Sequence, residues 1–267
     1  MENCNHIFNN EQFSYTAISA KDFWVIDDDT FGFENGKGIN FTTPTAKGPD
    51  TEGITVDGNG FVYLASECDN SDKGVNYNVI LKADPNAQGT SQNAMQQWDL
   101  TSSLPSVSAN MGIEAVEWVS NSNVAGKLFD QNTNKVFDPS NYPNEVADID
   151  SKLGGAMALD YDIYENKLWV TADDGYGNLW ANILFNGTDK SSVVHVSPTA
   201  SVDITFNNEG FAIAGVEYTI NGQKPVYHFR DGVTSGALTI GSLSSSYNQE
   251  QTHEHVYGDL QYDQTNH

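Results

Sequence analysis

Three glutamates recur at the head of strand-like apolar runs. They are Glu52 in Asp50-Thr51-Glu52-Gly53-Ile54-Thr55-Val56-Asp57, Glu114 in Asn110-Met111-Gly112-Ile113-Glu114-Ala115-Val116-Glu117, and Glu209 in Asn207-Asn208-Glu209-Gly210-Phe211-Ala212-Ile213-Ala214. Carboxylates at one place in a repeated unit converge when the units are set around an axis, and hard oxygens so gathered suit Ca2+. Like charges so close also need a cation or a proton between them. The other reading gives each Glu a hydrogen bond to the backbone of the next unit, so that it ties the units together. Asp27, Glu67 and Asp173, with Asp174 beside it, end neighbouring runs and extend the candidate metal set.

The chemistry that a calcium ion favours here is hydrolysis, with the metal polarising a phosphoryl or acyl oxygen and one of Glu52, Glu114 or Glu209 serving as base. No nucleophile motif competes: the chain has no G-x-S-x-G, no H-E-x-x-H, no G-x-x-x-x-G-K-S/T, and no G-x-G-x-x-G in a βαβ setting. Asp27-Asp28-Asp29 and Asp69-Asn70-Ser71-Asp72 are calcium-like in composition. Phe31 and Lys73 occupy the fifth positions of these runs, where an EF-hand loop needs a ligand, so both read as solvated turns. His253-Glu254-His255 could present two imidazoles on one side of a strand, but its surroundings read as a polar tail. His195 and His228 lie inside apolar runs and read as structural.

The charge balance removes other classes. Twelve Lys and Arg stand against 36 Asp and Glu, a net charge of −24, and Arg230 is the single arginine. A nucleic-acid binder collects basic residues to neutralise phosphate, so nucleic acid is excluded as a partner. No apolar stretch approaches the ~20 residues of a membrane span, and the first thirty residues lack the basic start, apolar core and cleavage site of a signal peptide. The acid surplus fits an extracellular or periplasmic medium, or a protein that loads divalent cations. Thirteen Phe, 12 Tyr and 5 Trp supply ample surface for burial, and only 18% of residues are charged, so the chain folds. Cys4 and Cys68 form no metal-type pair; they make one disulfide or remain two thiols. The sequons Asn40-Phe41-Thr42 and Asn186-Gly187-Thr188 are within chance for so Asn-rich a chain.

The elements that must position these residues are strands. β-formers cluster at 22–26, 60–65, 77–81, 115–119, 167–171, 179–184, 193–196, 211–214, 226–229 and 237–240. Hairpin chemistry separates them at Asp57-Gly58-Asn59-Gly60, Glu165-Asn166, Asn186-Gly187, Asn221-Gly222 and Asp231-Gly232. No ten-residue helical period is present, and the class is all-β. The hairpin of residues 50–67 is similar to that of 154–173, and Gly53, Ala115, Gly155 and Gly210 serve as anchors of a recurring unit, with another around Trp24-Val25-Ile26-Asp27. A unit of about 40 to 50 residues with four short strands is a propeller blade. The expectation is a single domain over 1–267, a β-propeller of five four-stranded blades with six as the alternative count. A long inserted loop spans 130–152, and a polar tail 247–267.

The order Asp50-Thr51-Glu52-Gly53-Ile54, Leu64-Ala65-Ser66-Glu67, Leu104-Pro105 and Asn110-Met111-Gly112-Ile113-Glu114-Ala115 resembles phytase-like β-propellers, the group known for esterase-like activity of phytase. The likeness covers residues 48–120 well and 154–215 loosely. It implies a calcium-binding phosphoesterase or esterase acting on a small-molecule ester or phosphoester. The chain departs from the pattern at Ala115, where Gly is usual, and at Gly155-Ala156-Met157, which carries no Glu. With one arginine, phosphate would be held almost wholly by metal. The 53–63 hairpin is similar to NHL-type and lactonase-type propellers too, so a lactonase-type hydrolase is a further alternative. The competing class is a non-catalytic propeller that recognises a glycan or a protein and uses calcium to stiffen the ring.

Overall fold

A computed structural model of the chain describes residues 13–19, 22–27, 32–33, 37–109, 111–130, 133–141, 156–172, 177, 179–188, 192–196, 208–230 and 237–245. It is mostly β, built of several small sheets whose strands are almost all antiparallel. Sheet I has the order β1 (Phe13–Ser19), β2 (Asp22–Asp27), β4 (Lys37–Asn40), β8 (Ser91–Asn93), with the short β3 (Gly32–Phe33) also on β2; only the β4–β8 pair is parallel. Sheet II runs β5 (Pro49–Val56), β6 (Val62–Asp69), β7 (Asn76–Ala83), β9 (Gln96–Asp99). After the one-turn helix α1 (Asn121–Val124) and the small pair β10 (Phe129–Asp130) and β11 (Lys135–Val136) comes sheet III. It runs β12 (Ala156–Asp162), β13 (Lys167–Ala172), β14 (Trp180–Leu184), β15 (Ser192–Val196), and sheet IV runs β16 (Asn208–Ile213), β17 (Gln223–Arg230), β18 (Leu238–Ser244). Among the described residues no helix is long and apolar enough to cross a membrane.

The turns are local chemistry. Asp57 Oδ1 accepts from the amides of Asn59 and Phe61, both at 2.9 Å, and Gly60 takes φ +83° to close the β5–β6 hairpin. Asp162 does the same for Tyr164 and Glu165 at 3.1 Å between β12 and β13. Asn221 and Gly222, both at positive φ, lead into β17.

The core lies between successive sheets. Ile39, Phe41 and Ala94 pack on Ile54, Val56, Val62, Leu64, Val79 and Leu81. Ala158, Trp169 and Trp180 meet Phe211, Ile213, Val226 and Leu243 between sheets III and IV. A third cluster joins Val124 and Phe137 to Tyr161, Leu168, Val170, Ile183 and Phe185.

The leading segments stand side by side: β1 beside β5 and β12 beside β16, with residues 111–119 between β5 and β12. A Cβ on Gly53 would meet the Ala115 Cα at 2.7 Å, which fixes how close β5 and this segment run. Residues 115–119, expected as a strand, join no ladder. Neighbouring side chains hold the 111–119 segment: Trp118 N–H donates to Thr55 Oγ1 (3.1 Å), Gly112 N–H to Glu67 Oε2 (3.0 Å) and Ile113 N–H to Asn78 Oδ1 (3.0 Å).

The hairpins of 50–67 and 154–173 are equivalent, with the second strands in the expected register and the first strands one residue out of it. Register slips between Thr51 and Gly53 in β5, between Ala156 and Ala158 in β12, and between Asn208 and Gly210 in β16. Each slip is a β-bulge, and the extra residues are Glu52, Met157 and Glu209. Ala158, opposite Thr171 as Gly53 is opposite Ala65, is therefore the anchor rather than Gly155. Residues 142–152 of the expected loop and the tail beyond residue 245 lie outside the described residues.

Candidate functional site

The sequence around Asp50-Thr51-Glu52 places two acids on β5, and β6 returns to end in Glu67-Cys68-Asp69. Cross-strand pairing sets Asp50 opposite Cys68. A second register slip, between the Asp50–Cys68 and Thr51–Ser66 pairs, leaves Glu67 as the extra residue on β6. Asp50, Glu67 and Cys68 are all buried, and one ligand atom from each lies within 4.8 Å of the others. Glu52, half-buried at its bulge, acts electrostatically on the same lysine as Asp50.

That lysine is Lys73. Its Nζ donates to Asp50 Oδ2 at 2.7 Å, while its own side chain is 54% exposed. Asn70 Nδ2 donates to Asp50 Oδ1 at 3.3 Å and to the Pro49 carbonyl at 3.0 Å. The hydrogen bond to Asp50 holds Lys73 above its ordinary pKa. Glu67 is raised, first by burial and further by Asp50, against the opposing pull of the Gly112 N–H and of Lys73. Among the described residues, Asp50, Glu52 and Glu67 all act electrostatically on Lys73.

The donor atoms brought together, two carboxylate oxygens from Asp50 and Glu67 and the Cys68 sulfur, could hold a metal ion. Cys68 is the third member of this group: with no metal bound, burial and the neighbouring Asp50 push its thiol up to about 12, and its Sγ donates to Asp50 Oδ2 at 3.5 Å. A thiol that stays protonated is a poor nucleophile. Cys68 is a free thiol; Cys4 lies outside the described residues. In a Cys4→Ser variant, native Cys68 is expected to react with a disulfide reagent at pH 7 about a thousandfold more slowly than in the unfolded chain, since three pK units remove that much thiolate. Equal rates before and after urea would contradict the burial described here.

The other expected site residues fall as follows. Glu114 is half-buried on the 111–119 segment, immediately before Ala115 and so level with Glu52 across the β5 seam. Glu209 is half-buried at the bulge of β16, with β12 and its Met157 between it and Glu114. Asp27 ends β2, opposite Phe13 and Gly32, and its side chain lies outside the described residues, as does Asp173 altogether. The Asp69–Asp72 run is a turn: Asp69 Oδ1 accepts from Ser71 N–H at 2.8 Å and from Thr45 Oγ1 at 2.9 Å. The His253-Glu254-His255 run lies outside the described residues. His228 is buried between Trp180 and Phe211, whose ring centroids are 4.9 and 5.3 Å away, and burial lowers it to about 4, so it is a neutral core residue.

Sequence reasoning missed Asp50 and Lys73. Asp50 opens the first motif, yet what marks it is the Asp50–Cys68 register and the return of Lys73 across the β6–β7 turn, neither of which is local.

Side-chain ties between neighbouring segments run three residues beyond the bulge positions. Thr55 Oγ1 donates to Glu117 Oε2 at 3.1 Å, the Tyr161 N–H donates to Glu117, and the Ile213 N–H donates to Asp160 Oδ2. Thr55, Glu117 and Asp160 occupy the same place on successive leading segments.

No family model matches this chain, and no curated protein matches it.

Proposed function

We propose that the chain is a β-propeller whose acidic end binds Ca2+ and supports hydrolysis of a small-molecule ester or phosphoester, in the manner of the phytase-like propellers it resembles. The propeller reading is supported by the lateral order of the leading segments, β1, β5, 111–119, β12 and β16, with core clusters between successive sheets. The observation that carries the function is the buried Asp50–Glu67–Cys68 group, whose ligand atoms all lie within 4.8 Å of one another.

Asp50, Glu52 and Glu67 would hold the ion, with Glu114 on the adjoining segment. Bound there, calcium supplies a Lewis acid for a phosphoryl or acyl oxygen. Glu52, Glu114 and Glu209 are the bases available to take a proton from water, and the Gly112 N–H fixes one Glu67 oxygen so that its carboxylate keeps a single orientation. The single Arg230 leaves little beyond the metal to hold a phosphate.

Lys73 favours a second reading. Its ammonium already sits on Asp50, and a propeller neutralised this way needs no reactive ion, as suits a module that recognises a glycan or a protein outside the cytoplasm.

Calorimetry of Ca2+ into EDTA-stripped protein, followed by assays on a generic phosphomonoester and a generic carboxylic ester with and without Ca2+, separates these readings. Calcium-dependent turnover lost in Glu52→Gln is the expected result. Tight binding without turnover selects the recognition module, and absence of binding overturns the metal site.

A further inference from the structure

The seam between sheets III and IV is short of hydrogen bonds. Trp169 Nε1, Thr171 Oγ1, both ring nitrogens of His228 and Thr239 Oγ1 are buried there without a partner among the described residues. Register and ring contacts tie them into one patch. Thr171 stands opposite Trp180 across β13 and β14, and His228 stands between Phe211 on β16 and Thr239 on β18. The His228 ring meets sheet III directly: its centroid lies 4.9 Å from that of Trp180, the planes 22° apart, and 5.3 Å from that of Phe211. Trp169 lies edge-on to Trp180 at 6.4 Å. His228 is 1% exposed, so a polar ring serves here as an apolar one.

The charged groups on the surrounding elements are few. β17 brings Arg230 two residues on and Lys224 four residues back, with Lys224 bonded to Asp162 of β12. β12 also brings Asp160, which accepts from the Ile213 N–H; β13 brings Lys167, bonded to Glu165; and β16 brings Glu209, half-buried at its bulge. β14 and β18 contain no ionisable residue. Of these groups Arg230 acts on His228, and it repels a second positive charge.

We propose that His228 is an acid-sensitive latch: a proton taken up by its imidazole places a charge between Trp180 and Phe211 that no described acceptor meets, and sheets III and IV part as the pH falls. An imidazolium has two N–H groups to satisfy and gives up its hydration when enclosed by rings. Burial first, and Arg230 after it, accordingly lower the group from 6.5 to about 4. The opened chain takes up the proton near pH 6.5 and the closed one only near pH 4, so the stabilisation is complete above about pH 6.5 and is lost progressively as the pH falls from there toward 4. The latch shares no residue with the Asp50 group and does not rest on the metal reading.

Two measurements on the full chain test the proposal. In urea titrations at about pH 7.5 and about pH 5, the wild-type folding equilibrium constant should fall at least tenfold further than that of His228→Phe, whose ring keeps the packing without a titrating group. The carboxylates and the net charge are common to both proteins and cancel. Hydrogen exchange of wild-type protein reads the seam itself. Over the same interval, protection of peptides covering Phe211 and His228, corrected for the intrinsic exchange rate, should fall at least tenfold further than that of peptides covering Ile54, Leu64 and Val79 in sheet II. Parallel urea curves, or equal loss of protection in the two sheets, overturn the proposal. The exchange arm needs no variant and decides the matter if His228→Phe fails to fold.

Discussion

Lys224→Met is expected to destabilise the protein by about 3–5 kcal/mol in urea unfolding at neutral pH, the range for removing one partner of a buried ion pair. Both side chains are almost fully enclosed, Lys224 at 2% exposure and Asp162 at 4%, and they join β17 of sheet IV to the end of β12 in sheet III. Asp162 also spends Oδ1 on the amides of Tyr164 and Glu165, so its carboxylate cannot swing toward solvent without opening the β12–β13 turn. The methionine fills the volume of the stem but leaves that carboxylate without its cation. The cost arises from stranding the charge rather than from an unusually strong pair: burial already pulls Lys224 down to about 8, against the opposing pull of Asp160. The double variant Lys224→Met with Asp162→Asn should therefore recover a large part of the loss. A single variant within about 1 kcal/mol of wild type would mean that the lysine reaches water and that the join between the sheets lies elsewhere.

The same residues mark what a sequence can disclose. Asp162 was readable as a turn residue because its bonds to Tyr164 and Glu165 are local, and the β-rich runs were readable because alternation and branching act within a few residues. The recurring Glu52, Glu114 and Glu209 were readable as a set; their common setting was not, since a bulge adds one residue to a strand and is visible only against its partner. That is also why Gly154-Gly155 drew the anchor of the third hairpin three residues early. The 115–119 run has strand composition but forms no ladder; the 111–119 segment is held instead by the side-chain acceptors of Thr55, Glu67 and Asn78, 35 to 63 positions away. The site suffers from the same non-locality: Glu67 was found as an acid ending a run, whereas Asp50, Cys68 and Lys73 are joined only by register.

Gly53→Ala should cost about 1–3 kcal/mol, and more if the strands cannot part. Its new methyl would meet the Ala115 Cα at 2.7 Å, the Val116 N at 2.9 Å and the Ala115 carbonyl carbon at 3.0 Å. All three are backbone atoms, so no rotamer change relieves the contact, and the 111–119 segment must move as a body. That movement pulls on Trp118 N–H to Thr55 and on Gly112 N–H to Glu67, the bonds that seat the segment on sheet II. Gly60→Ala is the matched control. It carries strain from φ +83° but meets nothing within 4 Å, so it should cost about 1 kcal/mol and leave the seam intact. The two substitutions therefore separate on ligand binding as well as on stability. If Asp50, Glu52 and Glu67 hold a cation with Glu114 beside them, Gly53→Ala should weaken Ca2+ binding by disturbing Glu52 and the Glu67 anchor together, and Gly60→Ala should leave the isotherm unchanged. The four equivalent positions, Gly53, Ala115, Ala158 and Gly210, are all small, as adjacent leading segments in close approach require. Equal stability of the two variants would show that β5 and the 111–119 segment do not run at the distance that this pattern demands.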